Sequence, residues 1–401
     1  MISQNMSRLM VDIGQNPYPF YEEIRSIHPV YKGNFLKYPG WYVTGYQEAA
    51  AILKVHRFQT RIPLPETTKR YKALKEIQQH MMLFKNPPDH ARLRMLVSRH
   101  FTPAKIETFR PNIEKIAHNL LDEIKNKNKI DVISDFAFPF ASLVIAKIIG
   151  IPDDDKHMFR EWALSLIQSI DLTRSRRSII DGNKTTLKML AFFKDLIQIR
   201  RQSPEDDLIS ELIQQEKDKK LTEEELLATS VLLVIAGHET TVNLISNSLY
   251  CILTTRKEHQ KLIENPALIK SAIEESLRYE SPTQMIARIA SEDVELNKVH
   301  IKKGEQVYVL IGAANRDPEQ FSNPDVFDIT RNPNPHLAFG SGIHFCLGSA
   351  LARLEAQIAI QVLLQNEINI HPETIKWRKL VGFRAMEEMR GTWGQVICPN
   401  S

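Results

Sequence analysis

The chain has 401 residues, 43% of them hydrophobic, which is enough for a large core and more than one domain of ordinary size needs. Its formal charge of +4 is modest for that length and predicts neither a nucleic-acid nor a membrane surface as its partner. Three widely spaced cysteines, Cys251, Cys346 and Cys398, form no disulfide framework, and the absence of a CxxC pair or an HExxH removes the familiar zinc sites.

The first residues, MISQNMSRLMVDIGQNPYPFY, carry no basic segment followed by an apolar run, so a cytoplasmic location is expected. No repeat or Gly/Ser-rich linker divides the chain, and a single unit over 1–401 is expected. Helical periodicity dominates. YEEIRSI, EAAAILK, ARLRMLVSRHF, NIEKIAHNLLDEIKNK, MFREWALSLIQSI and LKMLAFFKDLIQIRR each repeat apolar residues every three to four positions. Strand-like text is confined to GWYVTGY at 40–46 and to KVHIKKGEQVYVLIG at 298–312, two β-prone runs around the turn KKGE. The fold class expected is mainly α, with small peripheral sheets and no doubly wound parallel sheet.

Between two of these helices, LTRSRRS at 172–178 gathers Arg174, Arg176 and Arg177 with no acidic residue inside the segment. A solvated loop and a docking point for an acidic partner both fit. A long helix is predicted from Thr222 to about Leu253, with Thr222 and Glu225 as a capping box and a nearly all-apolar body too short in its uninterrupted run to span a bilayer. AGHETT interrupts that body. Gly237 weakens the helix, Thr240 can turn its hydroxyl back to the carbonyl of Ala236, and Glu239 stands beside it. An acid and an alcohol there could hold water and pass protons to a bound ligand.

Further on, ESLR places Glu275 and Arg278 three apart on one helix face, a spacing that by itself fits any exposed ion pair. Proline-marked segments at 314–318 and 323–331 lead into FGSGIHFCLG, and a helical pattern, SALARLEAQIAIQVLL, follows. Three glycines around one cysteine suit close approach to a flat group, and the start of a helix favours a thiolate.

In this order the motifs resemble the bacterial cytochrome P450 family over nearly the whole chain: FGSGIHFCLG is similar to its haem-binding loop, AGHETT to its oxygen-activating step and ESLR to its Glu-x-x-Arg signature. The resemblance implies a helix-rich triangular unit holding haem b, with dioxygen as co-substrate. It implies Cys346 as the axial iron ligand, Phe339 near the sulfur, and Gly340, Gly342 and Gly348 letting the loop lie against the porphyrin. His90, Arg94, Arg288 and His344 would meet the propionates, Ala236 and Gly237 would border the haem, and Glu239 and Thr240 would relay protons. Glu275 and Arg278 would be structural, with Arg331 or His336 as partners.

Within the family, YKGNFLKYPGWYVTGY, HETTVNLISNS and RYESPTQMIARIASEDVEL are similar to members of the biotin pathway. That implies cleavage of a fatty acyl chain on acyl carrier protein to pimeloyl-acyl carrier protein, with electrons from a flavodoxin or ferredoxin. Arg174, Arg176 and Arg177 would then receive the carrier. Hydroxylation of a free fatty acid, terpenoid or macrolide remains open, as does a haem-thiolate protein that is no oxygenase.

Overall fold

The computed structural model describes residues 13–35, 38–60, 69–152, 158–171 and 173–394. Leu172 and Cys398 lie outside the described residues. Its helices are α1 (Tyr18–Ile27), α2 (Tyr46–Lys54), α3 (Lys72–His80), α4 (Asp89–Ser98), α5 (Pro103–Glu107), α6 (Arg110–Ile124), α7 (Phe138–Ile149) and α8 (Phe159–Ile170). They continue with α9 (Arg176–Gln202), α10 (Leu208–Lys217), α11 (Glu223–Thr254), α12 (Arg256–Glu264), α13 (Ile269–Tyr279), α14 (Ile311–Ala314) and α15 (Ser349–Gln365).

Helix α11 is the axis on which the rest is built. Its capping box closes as expected: Thr222 Oγ1 accepts from the Glu225 amide at 3.2 Å, and Glu225 Oε2 accepts from the Thr222 amide at 3.1 Å. Three glutamates in its first turn complement the positive end of the helix dipole. A helix apolar all round must be surrounded by protein, and α3, α7, α8, α13 and α15 pack against this one. The windows of Val132–Ile149 and Glu223–Thr254 that pass for membrane spans by composition are 72% and 78% buried, which identifies both stretches as core helices.

A five-stranded sheet stands to one side, ordered β1 (Val30–Phe35), β2 (Tyr38–Val43), β8 (Gln306–Leu310), β5 (Met285–Ala290) and β3 (Phe58–Gln59). Within it, β2 and β8 run parallel and the other neighbours antiparallel. The runs flanking KKGE do not pair with each other. The first, β7 (Val299–Ile301), pairs with β6 (Val294–Leu296), while β8 crosses into the large sheet, where its buried valines meet α2. Small pairings of β4 (Ile130–Asp131), β9 (Ile368–Ile370), β10 (Lys376–Trp377), β11 (Met386–Glu388) and β12 (Arg390–Trp393) complete the described strands.

Candidate active site

The cysteine loop is shaped by backbone. The Cys346 amide donates to the Phe339 carbonyl at 2.9 Å and that of Phe345 to Gly342 at 3.1 Å, closing a tight loop just before α15. Gly340 and Gly342 have φ of +70° and +69°, the left-handed region that disfavours side chains. A Cβ on Gly342 would lie 2.5 Å from the Leu53 carbonyl oxygen, so close packing on α2 by itself requires a glycine here. Gly348 is different: nothing lies within 4 Å of where its Cβ would stand, on the same stretch as the cysteine. Burial raises the Cys346 thiol above its ordinary value, against the opposing pull of the Gly348 amide, Arg94 and Arg353. In the chain alone burial outweighs the helix start. Phe339 stacks its ring 4.5 Å from the Arg353 guanidinium.

Four basic side chains converge beside this loop. His90 and His344 have ring centroids 4.1 Å apart, and Arg94 Nη2 donates to the Phe345 carbonyl at 2.6 Å. Arg288, buried on β5, finds among the described residues only the carbonyl of its neighbour Ala287 at 2.9 Å. Burial, helped by His90, Arg288 and Arg94, drives His344 down to about 3, and burial lowers Arg288 to about 10. Among the described residues no carboxylate pairs with any of the four. Two of the four, His90 and Arg288, are buried, and burial holds His344 neutral; basic groups gathered with no acidic partner are complementary to an anion with two acidic arms.

Helix α11 faces this region through a narrow window. From Glu225 to Leu249 every residue is buried except Ile235, Ala236, Gly237 and Thr240. Thr240 Oγ1 donates to the Ala236 carbonyl at 2.9 Å, as its spacing predicted, while the helix continues unbroken. Gly237 owes its identity to α7, because a Cβ there would stand 2.7 Å from Ile145 Cδ1. Glu239 is buried, its Oε2 without a partner, and burial raises its carboxyl against the opposing charges of Arg378 and Arg160. His238 is held neutral on the far side. Ser142 Oγ donates to Phe138, so it accepts from His238 Nε2 at 2.6 Å, and burial takes the imidazole down to about 3.

Glu275 and Arg278 lie fully buried under the irregular segment. Arg278 reaches the carbonyls of Asn315, Pro324 and Val326 at 2.7 to 3.0 Å, and Arg331 joins Glu275 at 3.2 Å. His336 takes another partner. It pairs with Glu274 at 3.0 Å, where Arg353 also binds, and despite burial these hydrogen bonds hold Glu274 down at about 2.

The cytochrome P450 family profile matches residues 4–151 and 156–380. The chain belongs to the cytochrome P450 family. It is 58% identical over 381 residues, 94% of this chain and 96% of the relative, to the biotin biosynthesis cytochrome P450 of Bacillus subtilis. The polyketide biosynthesis cytochrome P450 PksS of the same organism is 39% identical over 93% of this chain and 95% of its own. The crystal structure of P450BioI in complex with hexadec-9Z-enoic acid ligated acyl carrier protein superposes with a TM-score of 0.93 at 57% identity, covering 96% of this chain and all of that one.

This P450 is therefore a monooxygenase that uses haem and dioxygen, and its residues fit the group: a thiol on a loop with open space at Gly348, beside four unpaired bases suited to two propionates. Haem held there supplies the iron centre that activates dioxygen, with a thiolate as its protein ligand. At the window of α11 the chain places an alcohol beside an acid, a pair chemically able to hold water and pass protons. Thr240 presents a hydroxyl at the window, and Glu239, whose carboxyl is raised by burial, adjoins it in sequence.

Two features of this P450 escaped the sequence. Glu355 on α15 is fully buried, and burial pushes its carboxyl well above the usual range, with Thr241 opposing. An aliphatic cavity also adjoins the window, lined by Leu74, Ile77, Met81, Leu166, Leu232 and Ile235 among others. The acid sits in an ordinary helical pattern, and the cavity joins helices far apart in sequence, so neither left a local signal. The basic segment is not a loop: Arg176 and Arg177 open α9, and Arg174 turns back to the Asp171 carbonyl at 3.2 Å.

Proposed function

We propose that this P450 cleaves a long fatty acyl chain carried by acyl carrier protein, giving pimeloyl-acyl carrier protein for biotin biosynthesis in the cytoplasm. The likeness to P450BioI, at 57% identity along essentially its whole length, carries the reading. The small cavity beside the window of α11, about 30 Å³ in volume, adds only that its lining is aliphatic, as an alkyl chain would require. Two neighbouring mid-chain carbons would be oxygenated in turn to a diol. A third dioxygen, with two electrons and two protons, would oxidise the diol and break the bond between the two carbons to give two aldehydes, and a fourth would take the carrier-bound aldehyde to the carboxylate. Each oxygenation takes one dioxygen, two electrons and two protons and releases water, with a flavodoxin or ferredoxin as the electron donor.

Arg176 and Arg177 are exposed at the first turn of a 27-residue helix. Cations at the positive end of a helix are unfavourable by about 0.3–1 kcal/mol each, and an acidic carrier docked there would relieve that. Glu275, Arg278 and the basic cluster of His90, Arg94, Arg288 and His344 keep the roles given above, structural and propionate-binding. The deciding experiment titrates the ferric enzyme with acyl-carrier protein, free fatty acid and a terpenoid while following the spin shift, then analyses products after reduction. Cleaved pimeloyl product from the carrier-bound chain is expected; a hydroxylated terpenoid or free acid as the only product overturns the reading.

A further inference from the structure

The aliphatic cavity, about 30 Å³ in volume, has one polar side chain without a hydrogen bond among its described lining residues. Gln78, on α3, is 2% exposed and lines the cavity, and its Oε1 has no hydrogen-bond partner. Thr186, also in the lining, spends its hydroxyl on the Gly182 carbonyl at 2.8 Å. The position of α3 is fixed independently of any ligand. The Leu74 amide donates to Asn183 Oδ1 on α9 at 3.1 Å, and α3 packs on α9 and α11. A carboxamide oxygen buried among aliphatic groups without a donor is unfavourable, and such a group calls for an explanation.

An unmodified alkyl chain cannot supply the donor. A hydroxyl on that chain can. We propose that Gln78 Oε1 accepts a hydrogen bond from the hydroxyl of the mono-oxygenated acyl chain, retaining it for the second oxygenation. The inference rests on the proposed stepwise cleavage. It makes Gln78 a specificity-determining residue that distinguishes the intermediate from the starting chain: the first product is bound better than the substrate, whereas an apolar cavity would bind it worse, because it would strip the hydroxyl of water and return nothing. Ile235, which also lines the cavity, directly precedes Ala236 at the window, so a chain that widened the cavity would run past the turn that carries Glu239 and Thr240.

The test compares the haem-loaded wild type with Gln78→Met, which keeps the length of the side chain and removes its acceptor. Spin-shift titrations use hexadecanoic acid and its mid-chain monohydroxylated derivative. The ratio of the two dissociation constants should move roughly three- to tenfold against the hydroxy acid in the variant, as the loss of one buried hydrogen bond implies. In turnover, Gln78→Met should release a larger share of monohydroxylated chain before scission. An unchanged ratio overturns the proposal. If the pantetheine thioesters of both acids weaken equally while the free acids do not, the donor is the pantetheine amide and the hydroxyl assignment fails. The thiolate-type band of the reduced carbon-monoxide complex checks that the variant is folded and loaded, and Gln78→Leu takes its place if that band is lost. A wild type that cleaves neither substrate would sink the proposed reaction, whereas the binding ratio would still decide the role of Gln78.

Discussion

Arg278 and Glu275 make a two-bond ion pair, Nη2 to Oε1 at 2.7 Å and Nε to Oε2 at 2.8 Å, with both side chains wholly excluded from solvent. Their spacing on α13 sets the pair, but its remaining bonds go elsewhere. Glu275 Oε1 accepts from the Asp328 amide and from Arg331, and Arg278 holds three carbonyls of the irregular segment. The pair therefore fastens the chain that leads into the cysteine loop. Removing one partner strands a buried charge, which costs roughly 3–5 kcal/mol. Arg278→Leu should lower the denaturant midpoint accordingly and yield protein with little bound haem; a variant with wild-type stability and haem content would refute this.

Cys346→Ala should abolish the thiolate-type Soret band of the reduced carbon-monoxide complex. No other described cysteine can replace it. Cys251 is buried in α11, and burial pushes its thiol well above the ordinary range. Persistence of the band in Cys346→Ala would reject the assignment.

The loop and α11 were legible because their signals are local. A capping box, an apolar body and a glycine-collared cysteine are each contained in a few residues. What stayed hidden depends on facing. Glu274 and Glu275 are adjacent, yet successive helix positions point about 100° apart, so His336 meets the first and Arg331 the second. Gly342 reads as pliable for a cofactor until α2 is seen pressing on it. The runs around KKGE read only as two β-prone runs about a turn, and the third dimension shows β8 paired with β2 and β5 rather than with the run before it.

Thr240→Ala should bind substrate and accept electrons yet form less product per electron, with hydrogen peroxide making up the difference. A positioned proton donor is worth about 10²- to 10⁴-fold. Glu239→Gln should slow turnover while leaving the peroxide fraction closer to wild type, since Thr240 still orders the window. Unchanged coupling in Thr240→Ala would remove its hydroxyl from proton delivery.

Buried His238 and Glu355 bias stability with pH in the same folded state but over different windows. His238 is depressed to about 3, so the unfolded chain binds the extra proton below its ordinary value near 6.5, and stability falls as pH drops from there toward 3. Each unit is worth ~1.4 kcal/mol. Glu355 is raised, so its contribution is fully present below the unfolded carboxylate value and declines as pH rises toward the folded one. Glu355→Gln should therefore gain on wild type as pH goes from 5 to 8. Denaturation midpoints across this range check both slopes, and a constant difference between Glu355→Gln and wild type would show that the carboxyl is not held neutral.

Carrier docking makes a prediction that separates Arg176 and Arg177 from Arg174. Arg177 is almost fully exposed, with only a loose 3.7 Å contact to Asp181, whereas Arg174 is half-buried, its guanidinium 5.5 Å from the Tyr38 ring. Reversing the exposed pair to glutamate should slow association with acyl-carrier protein, because complementary charge acts mainly on the encounter. The effect should shrink as salt shortens the screening length to about 8 Å at physiological strength. Free fatty acid affinity should stay the same, since neither side chain lines the aliphatic cavity. Arg174→Glu should instead disturb the packing against Tyr38 and lower stability. Association rates measured for the carrier at two salt concentrations distinguish these outcomes: equal losses for carrier and free acid would place the damage in the cavity, and no loss for either would leave α9 a solvated helix start.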